Sequence, residues 1–598
     1  MCDIVNNTSQ SQDGDVFDLL IRGGTVVDGT GRPGRPADVG ITQGRIVSLG
    51  QTSESASRVI DAEGRVVCPG FIDIHTHYDA QALWDPTLSP SPLHGVTTVF
   101  AGNCGLSLAP MEQTIEGFMI RMLSRVEAIP LESLEQGVKI EWRSFAEYLD
   151  FMERSPLAIN IGFSVGHSPI RRLVMGNAAS ERKASQAELQ KMQALVHDAL
   201  SAGAMGFSGS ASGTQRDGEG RPTPSSFASN EELVSLARVC GDFPGTSVEY
   251  IPESSAWGFD EPELDLLAEM AAAARRPLNW NSILLDYPAI PNIHERQLAS
   301  ADVAAKSGAL VVPLMIPHNF RVRTDFLDSD VGFRSVPGFE HFFELDVDGR
   351  IAALNAPTYR AELSRSLCEA PKGSNAMFRD ALAGNRVSDS GHAALQPLVG
   401  RRVADIAAER GSSVLDTMFD LAVESRLDVG FARHLVKTDT PELRAARAGV
   451  LRDPRVVLGA SDGGAHLRGC INAEYSTACF AELVRDEPVF SVEELVQEFT
   501  DVPAQLYGLR DRGRIAQGAW ADLVIFDPDT MGTSPVSMIH DLPGGAARLM
   551  SSGLGIDAVL VGGQEIVLGG RFTGATPGRL LRSGRDTRTT PADQLLRR

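Results

Sequence analysis

The 598-residue chain has no apolar run approaching the ~20 residues that cross a bilayer, which speaks against a membrane-spanning helix. Its start, Met1 to Asp15, lacks the basic residues and apolar stretch of a secretory leader, so the expected compartment is the cytoplasm. Cysteine is scarce. Seven residues, an odd number at no regular spacing, argue against a disulfide framework and for reduced thiols. Positive charge is in deficit too: 55 Lys and Arg face 77 Asp and Glu. The formal net charge of −22 speaks against nucleic acid or an anionic membrane as a partner. What is present is a globular composition, 43% hydrophobic, in a chain long enough for a large core and an accessory domain.

Between residues 66 and 505 short apolar runs alternate with amphipathic segments, the pattern of parallel βα units. One unit opens with a capping box, Ser185 and Glu188, and continues through Leu189, Met192, Val196 and Leu200 at helical spacing. Gly203 closes that helix. Ser229 and Glu232 repeat the device, and further helices are expected near Glu263 to Ala274 and Arg296 to Lys306. Eight strands are expected: Gly70–His77, Thr97–Ala101, Ala158–Val165, Met205–Ser208, Ser247–Ile251, Leu278–Leu284, Leu310–Ile316 and Val456–Ala460. Eight is the number that closes a (β/α)8 TIM barrel, an α/β fold whose active site lies at the carboxyl ends of its strands.

The flanks, 17–65 and 512–580, carry short alternating strands broken by glycine turns. They read as two halves of one small β-sandwich built from both termini, around a barrel spanning 66–511. A stretch of weak periodicity at 317–400 is too long for a plain loop and reads as a lid or insertion. Residues 1–16 and the basic tail 582–598 are expected to be flexible or, for the tail, to lie on a second copy, and the lid and tail together are the ground for an expected homo-oligomer.

The chemistry concentrates in Asp73-Ile74-His75-Thr76-His77-Tyr78-Asp79. Residues i and i+2 of a strand share a face, so His75 and His77 are expected to project together, as two ligands of one metal must. Asn103-Cys104-Gly105 follows the second strand and could add a thiolate. Ser461-Asp462-Gly463-Gly464-Ala465-His466 follows the eighth and brings a carboxylate to the opposite side of the mouth. His167 ends the third strand, where it either caps a turn or faces the site. Zinc with imidazole, carboxylate and thiolate donors lowers the pKa of water to about 7, and Asp462 could then act as general base.

Two other motifs are set aside. Gly29-Thr30-Gly31-Arg32-Pro33-Gly34 matches a dinucleotide fingerprint, but its prolines make it a hairpin turn. Gly162-Phe163-Ser164-Val165-Gly166 matches a serine-hydrolase elbow, but His167-Ser168-Pro169 reads as interrupting the helix that elbow requires.

These residues resemble the amidohydrolase superfamily, and within it the N-acyl-D-amino acid deacylase (D-aminoacylase) group, over roughly residues 17 to 580. The resemblance rests on Pro69-Gly70-Phe71-Ile72-Asp73-Ile74-His75-Thr76-His77, Gly102-Asn103-Cys104-Gly105, and Val165-Gly166-His167 with Arg171. It also rests on Ser461 to His466 and on Ala521-Asp522-Leu523-Val524. It implies one or two zinc ions held by His75, His77 and Cys104, with Asp462 as general base and further ligand, and hydrolysis of an amide in an N-acylated small molecule. Two departures stand out. Glu249 occupies the place of a family histidine on strand five, so Glu249 is the expected substitute ligand. Asn281 and Ile283 occupy the places of a strand-six histidine and of a lysine that reaches the substrate carboxylate. Asn281, with His167 and Ser208, is expected on the substrate side, and the substrate is expected to be larger or less charged than a free N-acyl-D-amino acid. Cyclic-amide opening, deamination or decarboxylation at the same metal, and a non-catalytic scaffold, are the alternatives.

Overall fold

The computed structural model describes residues 16–591 and 595, apart from 284, 286–291, 320, 328–332, 334–337, 370–381 and 435–439. All eight expected strands are present, most of them shorter than expected, and all pair in parallel. Phe71–Asp73, Val96–Ala101 and Asn160–Phe163 lie side by side in one sheet. Val165–Gly166, Gly206–Ser210, Ser247–Ile251, Leu278–Trp280, Val311–Met315 and Val457–Leu458 follow in chain order in a second. The segment 160–166 serves both sheets: Ser164 N–H donates to Ala101 O, and Met205 N–H donates to Phe163 O. At the other seam Thr76 bridges Gly463 in parallel, and His77 N–H donates to Gly463 O at 2.7 Å. The first strand therefore meets the segment that follows the eighth, which brings the two sequence-distant motifs together.

The helices sit where the apolar spacing places them. Gln186–Ala202 starts on the reciprocal Ser185–Glu188 box and ends at Gly203, whose φ of 106° suits glycine. Glu261–Ala274 and Ile293–Lys306 begin two and three residues before the expected starts. At Asn230–Cys240 only half of the expected box exists. Ser229 accepts from Glu232 N–H, but the Glu232 carboxylate turns inward instead. Helix His167–Met175 begins on the very residues expected to interrupt it, because Pro169 falls in the first turn, where a missing N–H costs nothing.

Ile72, Ile74, Phe100, Met205, Leu310, Val312, Leu314 and Val457, on or beside the strands, share one apolar cluster with Leu506, Tyr507 and Leu509. A larger apolar layer lies between the strands and the surrounding helices.

The small β domain expected from both termini is built as one nine-stranded sheet. Its amino-terminal strands Leu19–Val26, Arg35–Thr42, Arg45–Leu49, Val59–Asp61 and Val66–Pro69 join the carboxyl-terminal ones where Leu523–Phe526 pairs antiparallel with Val66–Pro69. The sheet curls on itself, so Val39, Ile41 and Ile46 share a core with Leu523, Ala558 and Leu560.

The insertion is longer than 317–400. Arg321–Thr324, Val429–His434 and Arg386–Ser390 form an antiparallel sheet, covered by helices such as Val347–Asn355 and Val414–Glu424 around a separate phenylalanine-rich core. It is tied to the segment after Asp462 by the Val322–Cys470 bridge and by Arg468 against Asp325. The tail also differs from expectation over its described part. Leu580–Leu581 pairs with Asn160–Phe163, Arg582 and Arg585 meet Glu153, and Thr587 donates to Gly245 O. Those residues dock on their own chain, which removes the tail as ground for a homo-oligomer.

Candidate metal centre

The first strand stops at Asp73, and the chain then turns so that both His75 and His77 are buried, with ring centroids 5.3 Å apart. Asp73 holds this turn: its Oδ1 accepts from His75 N–H at 3.4 Å and from Ser461 N–H at 3.3 Å, linking the first and eighth strand ends. Asp79 does the same for the second strand, accepting from Gly102 N–H at 3.0 Å. Gly102 is required there. At φ +78°, a Cβ would lie 2.2 Å from Ser164 O.

Cys104 and Asp462 both adopt positive φ, 56° and 55°, uncommon for residues with side chains. The result is convergence. Cys104 Sγ lies 3.5 Å from His75 Nε2 and 3.8 Å from His77 Nε2. Asp462 Oδ1 lies 3.3 and 3.5 Å from the same two nitrogens. Among the described residues, His75, His77 and Cys104 form the group whose donor atoms all fall within 4.8 Å of one another. Glu249 stands behind Cys104, accepting its N–H at 3.0 Å through Oε2, while its buried Oε1 has no hydrogen-bond partner among the described residues. Two imidazoles, a thiol and unsatisfied carboxylate oxygen in one buried place fit a divalent metal.

The electrostatics favour a cation. Burial, reinforced by Glu249, Glu127 and Asp462, holds the Cys104 thiol well above its ordinary value. Burial pushes Glu249 up to about 8, and Asp73 and Asp79 up to about 6. Burial disfavours charge on His77, but Glu127, Asp462 and Asp79 outweigh it and push the imidazole up to about 9. Asp462 moves the other way: burial opposes its charge, yet hydrogen bonds and attraction from both imidazoles hold it well below the usual carboxylate range.

Of the eight residues singled out from sequence, five gather here: His75, His77, Cys104, Glu249 and Asp462. Two are committed elsewhere. Both ring nitrogens of His167 are engaged, Nδ1 with Ser225 Oγ and Nε2 with Glu232 Oε1, each at 2.9 Å. Glu232 also takes Arg171 at 2.7 Å, so His167 belongs to a fully buried ionic cluster rather than to a substrate surface. Ser208, also buried, donates to Gly102 O and accepts from Gly105 N–H at 3.2 Å, bracing the loop that carries Cys104. Asn281 is half-buried just past Leu278–Trp280, with its Oδ1 lacking a hydrogen-bond partner among the described residues.

Two residues escaped sequence reasoning. Glu127, at the end of helix Gln113–Val126, places Oε1 3.5 Å from His77 Nδ1. Gln215, on the loop after Gly206–Ser210, has a side chain that acts on the Cys104 thiol, opposing the rise in its pKa. Neither sits in a recognisable motif.

The chain is similar to known proteins over most of its length. An uncharacterized protein of Mycobacterium tuberculosis is 32% identical over 95% of this chain and 96% of its own length. D-aminoacylase of Alcaligenes xylosoxydans xylosoxydans is 28% identical over 96% of this chain and 99% of its own. A solved structure of D-aminoacylase, studied for its binuclear metal center, superposes with a TM-score of 0.62 at 27% identity, covering 95% of this chain and 100% of that one. The sequence model of the amidohydrolase family matches residues 58–567. On that match, which spans most of its length, the chain belongs to the amidohydrolase family, enzymes that hydrolyse carbon–nitrogen bonds.

Proposed function

We propose that this chain is a metal-dependent hydrolase of the amide bond in an N-acylated small molecule, with its centre at the mouth of a closed (β/α)8 barrel. The observation that carries the reading is the convergence of His75, His77 and Cys104 beside the Asp462 carboxylate. His75, His77 and Cys104 would hold zinc, with Glu249 and Asp462 available to complete the set, a donor mixture that zinc accepts. Bound there, the ion supplies Lewis acidity toward water and the scissile carbonyl. Asp462, whose Oδ1 sits beside both imidazole Nε2 atoms, would take a proton from the attacking water and deliver it to the leaving nitrogen.

The strand-six end argues for the kind of substrate. Ile283 is buried at 4% exposure, and Asn281 offers a neutral amide, so neither supplies an ammonium group for a substrate carboxylate. The relatives named above support amide hydrolysis as the reaction. We read the substrate as an N-acyl compound larger or less anionic than a free N-acyl-D-amino acid.

The test is zinc content of the purified protein, followed by hydrolysis of a panel of N-acetyl and N-formyl amides of both configurations. Wild type should hold zinc and cleave members of the panel. Asp462→Asn should keep the metal and lose about 10²–10⁴ in turnover. Absence of metal after reconstitution, or near-normal turnover in Asp462→Asn, would overturn the assignment.

A further inference from the structure

His77 presents Nε2 to Cys104 and Asp462, which leaves Nδ1 on the far side of the ring. That nitrogen faces Glu127 Oε1 at 3.5 Å, too loosely for a hydrogen bond as it stands, and neither atom has a hydrogen-bond partner among the described residues. Both side chains are almost completely buried, at 2% and 3% exposure. His75 differs: among the described residues its Nδ1 has neither a hydrogen-bond partner nor a carboxylate set against it in this way.

Stability alone does not account for a carboxylate at position 127. Glu127 is buried, it caps the carboxyl end of helix Gln113–Val126, and Asp79, Cys104 and Asp462 lie in the same pocket. Burial, the negative end of the helix dipole and neighbouring acids each disfavour an anion there. The favourable contact is with His77. A neutral imidazole carries one proton, and the nitrogen that holds it decides whether the other has a free lone pair. A carboxylate at Nδ1 keeps the proton there and frees Nε2 for a metal. The Glu127 main chain reaches the same centre, because its carbonyl accepts from His466 N–H, four residues beyond Asp462.

We propose that Glu127 is a positioning residue of the metal centre, fixing the orientation and tautomer of His77 through Nδ1. The inference rests on the reading of His75, His77 and Cys104 as metal ligands. Glu127 touches no substrate and transfers no proton. It acts through His77.

The experiment compares full-length wild type, Glu127→Ala and the isosteric Glu127→Gln after metal removal. Zinc affinity is measured by competition with a chromophoric chelator, and the absorption spectrum is recorded after loading with cobalt. Glu127→Ala should bind zinc about 10–100-fold more weakly, with an altered cobalt spectrum. Glu127→Gln retains an oxygen able to accept the Nδ1 proton and should recover part of that loss. It also carries the test if the alanine variant fails to fold. Zinc affinity within about twofold of wild type in the folded variants, with an unchanged cobalt spectrum, would overturn the role of Glu127 even if their melting temperatures fell. If wild type itself binds no zinc, the reading of the centre falls first and the role of Glu127 with it.

Discussion

Replacing Glu249 with glutamine should change how many protons zinc expels from the centre. In the metal-free chain burial holds Cys104 well above its ordinary pKa, Glu249 is raised to about 8, and His77 is pushed up to about 9. Groups raised in this way hold protons at neutral pH, whereas Asp462, held low, has none to give. A ligand must lose its proton to bind metal. At pH 7 a group titrating near 8 is about nine-tenths protonated, so Glu249 as a ligand contributes about 0.9 proton. Cys104 and His77 contribute about one each, for a total of about three in wild type against about two in Glu249→Gln. At pH 9 Glu249 is already about nine-tenths ionised, and the gap should close to about 0.1. Calorimetric titration of metal-free protein with zinc, in buffers of different ionisation enthalpy at pH 7, 8 and 9, counts these protons. Equal release by the two proteins at pH 7 would show that Glu249 keeps its proton beside the metal and is not a ligand.

Two further substitutions separate support from chemistry. His167→Ala leaves Glu232 short of one buried hydrogen bond and opens a cavity, so it should cost about 2–4 kcal/mol in thermal unfolding while zinc content is kept. Lost turnover with an unchanged melting temperature would return His167 to the substrate side. Gly102→Ala sets a Cβ against Ser164 O at a backbone angle that favours glycine. It should cost roughly 2–4 kcal/mol and weaken zinc binding by displacing the Cys104 loop. Wild-type zinc affinity in that variant would show that the loop tolerates the shift.

The division between what was legible and what was not follows the range of the interactions. Strands and helices declare themselves through local periodicity, and ligands at strand ends inherit their position from those strands. His75, His77, Cys104 and Asp462 were found for that reason, since each sits within a few residues of an apolar run. Glu232 shows the limit. Its spacing from Ser229 is that of a cap, yet its carboxylate serves His167, 65 residues away, because a buried imidazole and Arg171 outweigh an exposed main-chain N–H as partners. The same competition removed His167 from the substrate surface. Curling of the nine-stranded sheet and the reach of the insertion to His434 depend on strand partners hundreds or dozens of residues apart, for which local pattern carries no signal. Glu127 lies at the far end of this scale. Its local context, the carboxyl end of a helix, argues against an acid. An acid that contradicts its own helix needs a tertiary reason, and in this fold the group it faces is the His77 imidazole.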